Sequence, residues 1–292
     1  HMDKRSGRPR IRVTGSGGRL GRLLRQVWGD DPGARIAWQS RQGGTGTCLL
    51  DPLTERAALV RAAEGADAIL ALAGVVRGDR AALARNSDLA VAAARAARAA
   101  GARAVLIASS AAVYGAAKPP QCEDGDVAPV SDYGRAKLAM EEAALAVAQE
   151  IDVSVCALRI ANVAGADALL AGNDGTIPVP LDLLDGRALR RSYVGPRALA
   201  SILMQLCDRV ADGERLPDRL NVALEGAVGM DALLGAAGRQ WVGRPAADGA
   251  IAAVELDVTR LKRLAALPHD GADAAAIVAD WRSVCGDAGG LR

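Results

Sequence analysis

A short strand candidate, Arg10–Thr14, passes directly into Gly15-Ser16-Gly17-Gly18-Arg19-Leu20-Gly21, after which Leu20, Leu23, Leu24 and Val27 recur at helical spacing. Strand, glycine turn and helix in that order make a loop whose backbone N–H groups can cradle a pyrophosphate. Gly15 permits the tight turn, Gly18 lets the backbone approach the ligand, and Gly21 lets helix and strand lie close together. Such a unit belongs at the start of a parallel sheet, and the rest of the chain keeps the same alternation. Strands are expected over 34–39, 48–50, 68–73, 105–108, 151–158 and 220–224. Helices are expected over 53–63, 83–100 and 198–207, with others starting near Ser131 and Met230 and one running through Trp281. The predicted class is α/β, a doubly wound parallel sheet.

The chemistry points to one stretch. The run 105–108 suits a buried strand and ends in Ser109-Ser110, after which Pro119, Pro120, Gly125 and Pro129 mark a loop. A helix from Ser131 places Tyr133 and Lys137 at i and i+4 on one face. An ammonium beside a phenol favours the phenolate, so the Tyr133 pKa is expected to fall from about 10 toward a range useful for proton transfer. Ser110 would hold a carbonyl or alcohol oxygen against that phenol.

Ser110-Ala111-Ala112-Val113-Tyr114-Gly115 followed by Tyr133-Gly134-Arg135-Ala136-Lys137 resembles the catalytic core of the extended short-chain dehydrogenase/reductases, the NAD-dependent epimerase/dehydratase family. The resemblance runs through the chain after the first nine residues, strongly in its first half and loosely in its second. It implies a Rossmann-type fold over 10–165, with 189–224 returning to it, and a small, partly interleaved substrate-binding region formed by 166–188 and 225–292. It implies Ser110 and Tyr133 at the substrate oxygen and Lys137 on the nicotinamide ribose. With the cofactor it places Gly15, Ser16, Gly17, Gly18, Arg19, Leu20 and Gly21 of the loop, Asp51 near the adenine, and Leu72, Ala73 and Gly74 where the chain passes over it. Asn86, Ala108, Ile160 and Val163 join that set. Arg159-Ile160-Ala161-Asn162-Val163-Ala164-Gly165 is similar to the family's Leu-Arg-x-x-Asn-Val-x-Gly segment, in which the Asn contacts substrate; a loop-capping role for Asn162 is the alternative. Arg191, in Arg190-Arg191-Ser192-Tyr193-Val194, matches the family's diphosphate-binding Arg. Gly195 and Ala198 stand where the family has His and Asp, and the segment 166–188 is expected to be an abbreviated form of the family's substrate insertion.

The end of the second strand selects the cofactor. An NAD site wants a carboxylate there for the ribose 2′-hydroxyl, whereas this chain has Gln39-Ser40-Arg41. Ser40, Arg41 and Arg19 are expected to meet a 2′-phosphate, which favours NADP(H), with NAD as the alternative. Ala111 and Ala112 stand where a dehydratase carries its acidic pair, so that activity is disfavoured. The expected function is hydride transfer to or from a carbonyl or alcohol of a small molecule, sugar-like or other, with Tyr133 as acid and base. A sugar-nucleotide epimerase is the alternative, and a non-catalytic NADP sensor is a remote one, since such proteins often lose the Tyr or Lys retained here.

Composition removes other classes. A net charge of +2 argues against a general nucleic-acid binder, and no apolar segment is long enough to span a membrane. Five scattered cysteines and two histidines form no metal-ligand cluster, so no metal is expected, and the odd thiol count fits a cytoplasmic protein. His1-Met2 has the look of a cloning remnant, and residues 1–9 are expected to be disordered. Ala is abundant in the two long helices (Ala92, Ala93, Ala96 and Ala99; Ala139, Ala143 and Ala146), which suits a homodimer packed through them; the same residues could instead face their own sheet.

Overall fold

The computed structural model describes residues 7–29, 34–172 and 175–286; residues 1–6 of the expected tail lie outside them. Seven parallel strands form the central sheet: β1 (Arg10–Thr14), β2 (Arg35–Ser40), β3 (Thr47–Leu49), β4 (Ala68–Ala71), β5 (Ala104–Ser110), β6 (Ser154–Ile160) and β7 (Arg219–Val222). Their order is β7-β6-β5-β4-β1-β2-β3, with every neighbouring pair parallel. The order reverses between β1 and β4, and the crevice beyond their carboxyl ends is where such sheets bind ligands.

Strand alternation sorts the core into two layers. Ile69, Val105, Ile107, Val155 and Ala157 face the helices α2 (Arg56–Ala63), α3 (Arg80–Ala100) and α4 (Asp132–Ile151). Leu70, Leu106, Cys156 and Leu158 face α1 (Arg19–Trp28), α5 (Pro196–Ala211) and α7 (Ala274–Cys285). Burying both faces explains why the strands read as unbroken apolar runs. Of the Ala residues assigned to a dimer face, Ala93 and Ala96 are buried in this chain's own core. Ala99, Ala139 and Ala146 are exposed.

Most boundaries fall where the sequence places them. Others shift by a turn or less: the helices expected from 53 and 83 start at Arg56 and Arg80, the one expected over 198–207 runs to Ala211, and Ile151 ends α4, Asp152 closing it with φ at 54°, so that β6 begins only at Ser154. The later chain adds small sheets. One joins Val228–Gly229, Arg190–Arg191 and Ala253–Val254; another joins Trp241–Pro245, Val179–Leu184 and Arg187–Ala188. Helix α6 (Met230–Ala236) follows the first of these strands. Among the described residues, no helix is long and apolar enough to cross a membrane, and no group of side chains is arranged to hold a metal ion.

Candidate active site

The glycine loop turns at Gly15, whose φ of 74° and contact with the backbone of Ala73 leave no room for a side chain. Gln39 holds the loop from beneath: its Oε1 accepts from Gly15 N at 3.1 Å, its Nε2 donates to Leu50 O at 2.8 Å, and its carbonyl accepts from Ser16 N at 2.9 Å. The side chain at the place of an NAD-type carboxylate is therefore engaged in building the loop. The cleft beside it, about 250 Å³, is lined by Gly15, Gly17 and Gly18, by Ser40, Arg41 and Gln42, and by Asp51 and Pro52. The opposite wall is Leu72, Ala73, Gly74 and Val75, with Arg85 and Leu89 from α3.

These residues fit a dinucleotide. Helix α1 starts at Gly18 with no side-chain cap and no acidic residue in its first turn, so its leading N–H groups are open to an anion. A side chain at Gly18 would have only Gly15 O, at 3.5 Å, within reach; the space in front of the loop is clear. The carboxylate of Asp51 is partly engaged, its Oδ1 accepting from Leu53 N at 2.9 Å, while Arg41 and Arg85 stand exposed at the rim.

Some expected cofactor residues stand elsewhere. Arg19 reaches away from Ser40 and Arg41, donating to Ala166 O at 3.4 Å. Asn86 is wholly buried behind the cleft: it accepts from Val75 N at 3.0 Å and donates to Val75 O and Leu83 O, each at 2.9 Å, which fixes the chain after β4. Ile160 and Val163 belong to the core. Arg85 and Leu89 were not singled out by the sequence reading, although their i, i+4 spacing around Asn86 puts them on one helical face.

At the end of β5 the structure brings Ser110, Tyr133 and Lys137 together. Ser131 caps α4 by accepting from Gly134 N at 3.0 Å, and Gly134 lets that first turn press on the Ala111–Val113 turn. A Cβ at Gly134 would stand 2.5 Å from Ala112 O. This close approach sets Tyr133 beside Ser110, near enough for the serine to act on its phenol. Lys137, one helical turn on, is buried, donates to Ala108 O at 2.7 Å and lies 5.7 Å from the Tyr133 ring centre. Burial pushes the Tyr133 phenol up from its ordinary value, with the Ser110 hydrogen bond opposing. That direction is opposite to the one expected from an adjacent ammonium, and desolvation is its largest cause. Burial also lowers the Lys137 ammonium to about 8, against the pull of Glu141.

A buried polar frame backs the site. Tyr114 is fully buried, donates to Asn221 Oδ1 at 2.6 Å and has its pKa raised to about 12 by burial. Asn221 in β7 donates from its backbone to Glu123 Oε1 at 2.9 Å and from its Nδ2 to Gln121 O and Asp257 O, at 3.0 and 2.9 Å. Of the expected substrate residues, Asn162 is exposed and pairs in strand register with Tyr193, whose hydroxyl donates to Asp167 Oδ2 at 2.7 Å. Arg191 lies in the small sheet and donates to Arg190 O at 2.7 Å. Gly195 gives room to Asp280, which accepts from Arg197 N and Ala198 N at 2.8 and 3.1 Å and so caps α5 from α7.

A family model described as the NAD dependent epimerase/dehydratase family matches residues 11–178. The chain belongs to that family. No curated protein matches it. Among solved structures, UDP-glucose 4-epimerase from Brucella ovis in complex with NAD superposes with a TM-score of 0.78 at 18% identity, over 92% of this chain and 96% of that one. UDP-glucose 4-epimerase from Stenotrophomonas maltophila, with bound NAD and formylated UDP-arabinopyranose, gives 0.76 at 20% identity over 94% and 98%. MoeE5 in complex with UDP-glucuronic acid and NAD gives 0.72 at 23% identity over 89% and 93%. This epimerase/dehydratase chain therefore has the extended short-chain dehydrogenase/reductase fold.

Proposed function

We propose that the protein catalyses hydride transfer between a nicotinamide nucleotide and a secondary alcohol carbon of a sugar nucleotide, with epimerisation at that carbon as the net reaction. The observation that carries this reading is the gathering of Ser110, Tyr133 and Lys137 at the end of β5, beside the glycine-loop cleft. When bound, the nicotinamide accepts and returns the hydride. Ser110 fixes the substrate oxygen, Tyr133 takes and gives back its proton, and Lys137 steadies the ribose. Asn162 and Arg191 are placed with the substrate, and 166–188 with 225–292 form its binding region. The named relatives hold NAD and, in two cases, UDP-sugars, which supports epimerisation better than the simple reduction ranked first from the sequence.

One feature favours that second reading, a reductase with exchanging NADP(H). The end of β2 presents Ser40 and Arg41 with no carboxylate, and Arg85 adds a second cation across the cleft. The test is to release and identify any nucleotide retained by the purified protein, then to offer UDP-sugars. Retained NAD and interconversion of a UDP-sugar pair, abolished by Tyr133→Phe, support the epimerase. Stoichiometric NADPH oxidation with a carbonyl substrate, lost together with NADPH preference in Arg41→Asp and weakened in Arg85→Ala, establishes the reductase instead. Full turnover in Tyr133→Phe refutes both. We further place the protein in the cytoplasm, in keeping with its five free thiols, and as a homodimer through the exposed Ala99, Ala139 and Ala146, which sedimentation tests.

A further inference from the structure

Three successive residues at the end of β5 each hold a different residue of α4. Ser110 acts on the Tyr133 phenol, Ala108 O accepts from Lys137 Nζ at 2.7 Å, and Ser109 Oγ donates to Glu141 Oε1 at 2.5 Å. Tyr133, Lys137 and Glu141 recur at every fourth residue, so they form one stripe along the helix. Glu141 is the innermost of the three, with no exposure to solvent. Ser109 and Arg159 are direct partners in the β5–β6 register, and both point at its carboxylate. Arg159 grips it in a fork, Nε to Oε1 at 3.0 Å and Nη2 to Oε2 at 2.8 Å, and Arg219 Nε of β7 lies 3.4 Å from Oε2.

A buried acid bound to two strands is an expensive way to fasten a helix, since apolar packing would serve as well. Its use here has a counterpart in the surroundings of Lys137. That ammonium is faced on α4 by the Tyr133 ring, by Met140 Sδ at 3.9 Å and by Glu141, and on β5 by the Ala108 carbonyl. Gly74, after β4, closes the other side: a Cβ there would stand 3.4 Å from Lys137 Nζ and 2.8 Å from Asn86 Oδ1 of α3. The carboxylate acting on Lys137 is that of Glu141. We propose that Glu141 is a positioning residue: clamped by Ser109 and Arg159, it sets the register of α4 against β5 and supplies the negative charge that retains the Lys137 ammonium at the site. This rests on the site assigned above.

The test separates clamp from charge. Glu141→Gln alone would strand the Arg159 guanidinium, so the neutral pair Glu141→Gln/Arg159→Met is the informative variant. The readout is the pH at which binding of NADH and NADPH weakens, followed by their fluorescence and requiring no turnover. The double variant is expected to lose binding at lower pH than the parent and to turn over at least tenfold more slowly. Ser109→Ala, which keeps the charge, is expected to slow turnover with the binding midpoint unmoved. Should the double variant not fold, Glu141→Asp keeps the charge and withdraws the carboxylate from Ser109, and it is expected to behave like Ser109→Ala. A folded double variant with the parental midpoint, or parental turnover in Glu141→Asp, overturns the proposal. Failure of the functional reading shows separately, as full turnover in Tyr133→Phe, and leaves the binding midpoint readable.

Discussion

Gly134→Ala reverses the usual sign of a helix substitution. Alanine in place of a helical glycine ordinarily stabilises by up to about 1 kcal/mol, and somewhat less in a first turn. Here the new Cβ would stand 2.5 Å from Ala112 O and 3.2 Å from Pro129 Cβ, the first contact about 0.9 Å inside the 3.4 Å at which ordinary contact begins. Overpacking of this kind costs about 1–3 kcal/mol. The variant is expected to lose up to about 2 kcal/mol, or to relieve the clash by lifting α4 from the Ala111–Val113 turn. Lifting by that amount would separate Tyr133 from Ser110, and an ångström of misplacement can cost about 100-fold in rate. Thermal unfolding reads the first effect, at about 2–4 °C per kcal/mol for a chain of this size class. Conversion of the substrate found in the UDP-sugar panel reads the second. Ala84→Gly, at an exposed position of α3, is the control: it should lose about 1 kcal/mol and keep its turnover. A Gly134→Ala protein at least as stable as the parent, with parental turnover, would refute the idea that this close approach places the tyrosine.

Lys137 is buried with its pKa lowered to about 8, below the value of about 10.4 for an unfolded lysine, so the folded protein releases that proton first. Between those values the unfolded chain binds more protons, and this group's contribution to stability rises with pH while cofactor affinity falls. The two trends should diverge above pH 8 in the parent and not in Lys137→Met; parallel trends would contradict the assignment. Tyr114→Phe leaves the buried Asn221 Oδ1 without its donor at 2.6 Å and should cost about 1–3 kcal/mol with turnover nearly unchanged, so a large loss of rate without loss of stability would move Tyr114 into the catalytic group.

The parts legible in the sequence were those in which spacing along the chain becomes geometry directly. The glycine turn, the apolar strands and the pairing of Tyr133 with Lys137 follow from periods of 2 and 3.6 residues. Relations across the sheet were not legible. Nothing near Arg85 in sequence says that α3 brings it to the rim opposite Arg41, and nothing near Arg19 says that it reaches Ala166. The raised pKa of Tyr133 was not legible either, because the burial that causes it comes from the fold and not from spacing along the helix. The start of β6 was misplaced because α4 ends on a left-handed Asp152, and no glycine marks the stop.

The bonds on Asn221 also set an order of events during synthesis. Tyr114, Gln121 and Glu123 are made early, yet they are fastened only when β7 and the segment through Asp257 arrive. Gln121 and Glu255 are bonded across 134 residues of chain. At a ribosomal rate of about 5–20 residues per second, that interval is roughly 7–27 s. During it, the loop between β5 and α4 lacks its full anchor, and the edge of β6 stays uncovered until β7 follows to pair there. The serine, tyrosine and lysine are all translated by residue 137, but the wall that holds them is laid by chain that does not yet exist.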